Sequence, residues 1–534
     1  MDEQAQTQKT EARTKTDRDP RPLQALAGQT ASEHVDVLIL GAGLSGIGAA
    51  CHLRRNCPRK QFAILEAREA IGGTWDLFRY PGIRSDSDMF TLGYSFRPWE
   101  QPQSIADGAS ILSYIRDTAH DHEIEDHIRF GHRAVRAEWS SSEARWTVQA
   151  LRSDTGETVR ITCDFLYACT GYYRYDEGYT PDFPGRERFD GLLVHPQQWP
   201  EDLDCEGKRV VVIGSGATAV TLVPALAERG AQVTMLQRSP TYVLSLPQHD
   251  PIANWLREHL PSKLAYSLAR WKNVLLGTLN FQVSRRAPGL MRKLIRGLVE
   301  RQVPAGFDVD THFKPKYEPW DERLCLVPDG DLFKALHGGN ASIVTDQITT
   351  FTEHGIELDS GERLQADVIV TATGLNAELF GGLELAVDGH SIDVSETIAY
   401  KGMMLCGIPN LALILGYTNA SWTLKADLIA EYVCRLLNRM DELGVDSCTP
   451  QPPDASLPTE PVLNLKSGYV LRALHLLPRQ GVGAPWQMHH NYLKDVRLFK
   501  HGPLDDQITF SARGQSPASP TTPDTSERRE LAGV

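Results

Sequence analysis

At 534 residues, 41% apolar and 23% charged, the chain has the composition of an ordinary globular protein but exceeds what one hydrophobic core organises, so two or three domains are expected. A net charge of −13 argues against general affinity for nucleic acid. The nine scattered cysteines form no Cys-x-x-Cys pair, which argues against a disulfide framework or a zinc site and fits a reducing, cytoplasmic setting.

Residues 1–33 are polar, mixed in charge and without an apolar signal region, so they read as a disordered tail. Val35 to Leu40 is a β-type run that meets Gly41-Ala-Gly-Leu-Ser-Gly46. Leu44 to Arg55 then reads as a helix and Phe62 to Glu66 as a second strand. Gly41, Gly43 and Gly46, with Ser45 among them, let the backbone approach a pyrophosphate seated on a helix N-terminus. Glu66 stands 20 residues beyond Gly46, where a dinucleotide fold places an acid for a ribose hydroxyl. The loop Gly72 to Asp86 is dense in glycine, aromatics and charge, and its Thr74 and Trp75 are expected along the bound nucleotide.

Phe165 to Gly171 is a buried strand running into Thr-Gly, and Val368 to Gly374 repeats that pattern. The two crossings divide the chain into a discontinuous first domain (34–175 and 365–511) and an inserted second domain (176–364), with a Ser/Pro/Thr-rich tail at 512–534. The fold class is therefore α/β, with two dinucleotide-binding (Rossmann-like) domains. Within the insertion, Arg209 to Ile213 leads into a second glycine turn comprising Gly214, Ser215, Gly216, Ala217 and Thr218. The following strand ends at Arg238 and Ser239 instead of an acid, and a guanidinium there suits a 2′-phosphate, so NADPH is expected over NADH.

A helical excursion covers about 251–318. From Pro251 to Val303 it is notably basic, opposed in sequence only by Glu258 and Glu300. It reads either as a solvated shield or as a peripheral element for a membrane surface or partner. Gly402 to Leu424 lacks charges, but Pro409, Asn410, Gly416 and Asn419 interrupt it, so a buried strand and loop is expected and no transmembrane segment.

Between the glycine turns runs Phe-x-Gly-x-x-x-His-x-x-x-Trp-Pro, met by Phe189, Gly191, His195, Trp199 and Pro200. With that linker and two ordered glycine motifs, the chain resembles the Baeyer–Villiger monooxygenases, a branch of the flavin-dependent monooxygenases. It is most similar to their ethionamide-activating type through Gly72 to Asp88, Trp320 to Pro328 and Gly416 to Lys425. The resemblance spans roughly residues 35–510. It implies FAD in the first domain, NADPH in the second, and a catalytic arginine at Arg323 paired with Asp86, which is expected also to take part in cofactor binding. It also implies insertion of one oxygen of O2 beside a ketone carbonyl through a peroxyflavin, with thioethers as further substrates. An always-charged guanidinium suits the anions of that chemistry, while His195 and Trp199 are assigned to positioning and closure. Thr418 to Ala426 reads as a helix start facing the flavin. Many members carry a basic residue where this chain has Glu322, which leaves Arg238 as the main 2′-phosphate candidate.

The rival activity is S- or N-oxygenation, although relatives of that kind carry Tyr or Phe at the position of Trp199. A disulfide reductase is excluded by the spacing of Cys51 and Cys57. A nucleotide-binding module or an uncoupled oxidase would leave Arg323 and Asp86 without a role.

Overall fold

The computed structural model describes residues 33–322, 324–463 and 467–514. Two sheets organise them. The first opens with β1 (Glu33–Leu40), which leads through α1 (Leu44–Asn56) to β2 (Phe62–Leu65) and later pairs with β3 (Thr158–Ala168). All three run parallel, with Leu40 in register with both Leu65 and Ala168. Central parallel strands are covered on both faces, so their residues are almost all apolar. Val37 and Ile39 face one core, while Val35, Leu38 and Leu40 face another.

The chain leaves the first sheet through β4 (Tyr173–Gly178). The second sheet is wholly parallel and holds β5 (Leu192–Val194), β6 (Arg209–Ile213), β7 (Gln232–Gln237), β8 (Ala341–Thr345) and β9 (Val368–Thr371) in the order β8-β7-β6-β9-β5. The helix α2 (Ala217–Glu228) follows β6. The chain returns through β10 (Leu375–Ala377), which pairs antiparallel with β4, so the two crossings form one ribbon.

This topology corrects the boundary drawn at residue 365. Val368–Thr371 lies between β6 and β5 in the second sheet, so the first domain resumes only after Gly374. A fully buried parallel strand reads alike in either sheet, and only its pairing assigns it. The expected tails fall outside the described residues except for Glu33, which opens β1, and residues 512–514.

The excursion consists of α3 (Pro251–His259), α4 (Ser262–Arg286) and α5 (Pro288–Glu300). Its charges are better opposed than the sequence order implied. Asp250 pairs with Lys272, Asp321 with Arg285, Glu318 with Arg292, and Asp310 with Arg296. Arg270 is buried, donates to the carbonyls of Phe90 and Gly93 and meets Asp427 at 3.3 Å, which pins α4 onto the first domain.

The stretch 402–424 contains the short strands Met404–Leu405 and Leu411–Leu413 before α6 (Trp422–Leu443). That helix begins at Trp422, later than the expected start at Thr418. One turn into it, the ammonium of Lys425 is fully buried 2.6 Å from Asp495, whose carboxylate also accepts from Tyr417. Burial pulls the Lys425 pKa down and Asp495 opposes this. Lys425→Ala leaves the Asp495 charge buried without its cation, so it is expected to lower the unfolding free energy by about 3–5 kcal/mol, read from a urea midpoint.

Candidate active site

Both glycine turns sit where strand order reverses, the place at which open α/β sheets bind ligands. After β1, Gly41 has φ +100°, and a Cβ there would come within 2.8 Å of the Cys169 carbonyl beyond the neighbouring β3. After β6, Gly214 has φ +137°, and a Cβ would lie 2.3 Å from the Ala372 carbonyl beyond the neighbouring β9. The same backbone solution occurs twice, and each time glycine is required by both the dihedral and the close approach. A Cβ on Gly46 would meet the Gly41 carbonyl at 1.8 Å, so Gly46 closes the first turn from within α1.

A cavity of about 570 Å³ opens from the first turn. Gly41, Gly43, Ser45, Glu66, Thr74, Trp75 and Asp86 line it, as do Ala217 and Thr218 from the N-terminus of α2. The expected site residues of the first domain are thus brought together, and the second glycine helix reaches the same space. Gly214, Ser215, Gly216, Arg238 and Ser239 are not on its wall. They cluster at the end of the second sheet, where the Ser215 hydroxyl donates to the Ser239 carbonyl at 3.0 Å.

Glu66 is buried, and its carboxylate accepts from the backbone amides of Ala42 (2.7 Å) and Arg68 (2.9 Å). Burial raises its pKa, while those two amides pull it back. Gly43 and Gly73 face each other closely, since a Cβ on either would approach the other's Cα to 3.5 or 3.0 Å. This bare backbone slot beside a helix N-terminus and an acid held by amides fits a nucleotide cofactor. Behind Gly73, Asp76 is almost wholly buried and held by Arg68, Arg79 and Arg116, which fixes the loop that carries Thr74 and Trp75.

Asp86 lies half-buried on the cavity wall, near Arg84, which is paired with Asp331. Arg323 lies outside the described residues. Leu326, three residues further on, lines the cavity.

In the linker, the His195 ring accepts from the Gln197 amide at Nδ1 (3.1 Å) and donates from Nε2 to the Gly374 carbonyl (3.1 Å), which assigns the neutral tautomer. The ring packs on Gly178, where a Cβ would overlap it at 1.9 Å. His195 therefore ties the linker to both strands of the crossing ribbon. Trp199 is buried with Phe78 and Tyr80 of the first-domain loop. Phe189 packs on the opposite face of the second sheet, beside Phe351, and its ring fills the space above Gly191. Pro200 follows Trp199 half-buried.

Several wall residues were not singled out from sequence. Tyr172, Tyr173 and Tyr175 follow the carboxyl end of β3, and Phe380 and Gly381 follow the return crossing. Trp422 stacks on Tyr172 at 5.3 Å, and its indole N–H donates to the Ser45 hydroxyl at 2.8 Å. The signal available for the tyrosines was their place at the end of a central parallel strand.

Burial pushes the pKa of His195 down, and that of His490, whose Nδ1 lies 3.3 Å from the Thr418 hydroxyl, from 6.5 to about 4. The unfolded chain takes up these protons as pH falls through 6.5 and the native state only at lower pH, so stability is complete above 6.5 and lost on acidification. The thermal midpoint is expected to fall between pH 6.5 and about 4, less steeply in His490→Asn.

Comparison with known proteins gives a consistent assignment. The flavin-binding monooxygenase-like family matches residues 94–415, and an NAD(P)-binding Rossmann-like domain matches residues 39–101. The FAD-containing monooxygenase EthA of Mycobacterium tuberculosis (strain ATCC 25618 / H37Rv) is 55% identical over 484 residues, which is 90% of this chain and 99% of that protein. The probable FAD-binding monooxygenase AlmA of Acinetobacter baylyi (strain ATCC 33305 / BD413 / ADP1) is 48% identical, covering 89% of this chain and 96% of its own length. An oxidised steroid monooxygenase bound to NADP shares the fold with a TM-score of 0.71 over 90% of this chain and 100% of that one, at 22% identity. The closed crystal structure of cyclohexanone monooxygenase gives a TM-score of 0.66 over 79% of this chain and 87% of that one, at 21% identity.

Proposed function

The chain belongs to the flavin-binding monooxygenase-like family, and from that premise we propose that it inserts one oxygen atom of O2 beside a ketone carbonyl to give an ester or lactone. NADPH is the electron donor. The observation that carries this reading is the convergence on one cavity of Asp86, the first glycine turn and the N-terminus of the second glycine helix. The structural relatives, which include a steroid and a cyclohexanone monooxygenase, support it at the level of fold.

Gly41, Gly43, Ser45, Glu66, Thr74 and Trp75 would hold FAD, with Gly46 closing the turn; bound there, the flavin would supply the redox and oxygen-activating chemistry that the side chains lack. Gly214, Ser215, Gly216, Ala217 and Thr218 receive the NADPH pyrophosphate, and Arg238 with Ser239 receives its 2′-phosphate. Arg323 is assigned to hold the negative charge that develops on the substrate oxygen, a role a permanently charged fork fills without losing its proton. Asp86 orients that guanidinium and offsets its charge. The aromatic wall of Tyr172, Tyr173 and Trp422 excludes water. His195 and Trp199 hold the two domains in the relation that lets one cavity serve both cofactors.

Burial and the neighbouring Asp321 raise the carboxyl pKa of half-buried Glu322, and the charge of Arg238 pulls it back in part. We propose that this negative charge near Arg238 opposes a phosphate there. Glu322→Gln is expected to lower the KM for NADPH about fivefold, the size of a contact worth roughly 1 kcal/mol, measured against NADH as control.

The activity is tested by following NADPH consumption in the purified enzyme with a panel of ketones and of thioethers. Ketone-stimulated consumption supports the reading. Stimulation by thioethers alone moves the assignment to S-oxygenation.

A further inference from the structure

We propose that the outer face of the helical excursion docks on an anionic lipid surface. The central observation is a second apolar face on α4. Its inner face is buried through Ala265, Tyr266, Ala269 and Val274. On the opposite side Leu264, Leu268, Trp271, Leu275 and Leu279 recur at helical spacing, and all are exposed, Leu279 to 60%. One apolar face suffices to hold a helix against a core; on the second, Trp271 touches the ring of Tyr492 (5.9 Å) and still stands 42% exposed, while the four leucines lie open to solvent. The neighbouring helices extend it, with Ile252 and Trp255 exposed on α3 and Leu290 and Leu294 on α5. Scattered exposed leucines are ordinary, whereas a five-residue stripe on one helix, with exposed apolar pairs on both helices that flank it in sequence, is not.

Charge selects the occupant. His259 to Val299 contains no Asp or Glu, in a chain of net charge −13. Lys272, Arg285, Arg292 and Arg296 are neutralised by acids from surrounding segments. Lys263, Arg286, Lys293 and Arg301 are exposed, and none has an acidic partner among the described residues. On the helical repeat, Arg286 continues the α4 stripe and Lys293 and Arg301 flank that of α5, so the unpaired cations border the apolar patch. A second copy docked through this face about a two-fold axis would set these cations against themselves. An anionic bilayer offers the complementary pair: headgroups for Lys and Arg, and the upper acyl region for Leu and Trp. The contact is peripheral, because no helix among the described residues is long and apolar enough to cross a membrane.

The test is co-sedimentation of the FAD-loaded enzyme with vesicles of phosphatidylcholine alone or mixed with phosphatidylglycerol. The expected result is binding to the mixed vesicles at low salt. It should fall at least about tenfold in Leu275→Glu/Leu279→Glu and fall also in Lys263→Glu/Lys293→Glu, with NADPH consumption in free solution unchanged. Absence of sedimentation with either vesicle, or equal binding by the variants, would overturn the proposal. So would a concentration-dependent dimer that the leucine substitutions abolish in the absence of vesicle binding, since that would assign the face to a second copy.

Discussion

Asp86→Ala is expected to leave the purified protein yellow and still able to consume NADPH, while ester formation falls roughly 10²- to 10³-fold and hydrogen peroxide takes its place. That magnitude is the usual cost of removing one preorganised electrostatic group from a site where charge develops. Asp86 lies on the cavity wall but is not among the groups assigned to either nucleotide's phosphates, so binding and hydride delivery should survive its loss. Arg323→Ala is expected to give the same uncoupling, at least as deep. If the two residues act as one unit, the double variant is no worse than Arg323→Ala alone, because truncating members of a unit is not additive. Product assayed alongside peroxide makes the comparison. Loss of NADPH consumption in Asp86→Ala would assign that residue to cofactor binding.

The second large effect separates the cofactors. Gly41→Ala places a Cβ 2.8 Å from the Cys169 carbonyl at φ +100°, and Gly214→Ala places one 2.3 Å from the Ala372 carbonyl at φ +137°. Strain of this kind costs about 1–3 kcal/mol, equivalent to roughly 5- to 150-fold in a binding constant. Gly41→Ala is expected to emerge with its flavin absorbance depleted. Gly214→Ala is expected to keep FAD and to show a KM for NADPH raised within that range. The ratio of flavin absorbance to protein, followed by steady-state kinetics on the yellow fraction, distinguishes them. Flavin loss in both variants would mean that the second turn is coupled to the first cavity more tightly than through Ala217 and Thr218.

The two glycine turns were legible because their constraint is local. A positive φ and an approach to a neighbouring carbonyl admit only glycine, and the strand, helix and acid around them stand at fixed spacing. The α/β class and the presence of two nucleotide-type turns followed from that. The boundary at residue 365 was not legible, because Val368–Thr371 is apolar throughout and its sheet is set by partners over 150 residues away. The aromatic wall was hidden for a related reason. Trp422 reaches the cavity only because α6 packs on α1, which brings its indole to Ser45. Lys425, seen alone, reads as a surface charge, and it is buried only because Asp495 meets it there. The basic excursion was half legible. Its composition was plain, but the acids that neutralise one set of its arginines come from surrounding segments, and only the folded arrangement reveals which cations are left unpaired.

The most direct test of the central claim is product mass from a ketone turned over with NADPH under ¹⁸O₂. A Baeyer–Villiger oxygenation requires an ester or lactone carrying one labelled oxygen, formed in step with NADPH consumed. Labelled hydrogen peroxide with the ketone recovered unchanged, or labelled sulfoxide from a thioether with no ester from any ketone, would contradict it.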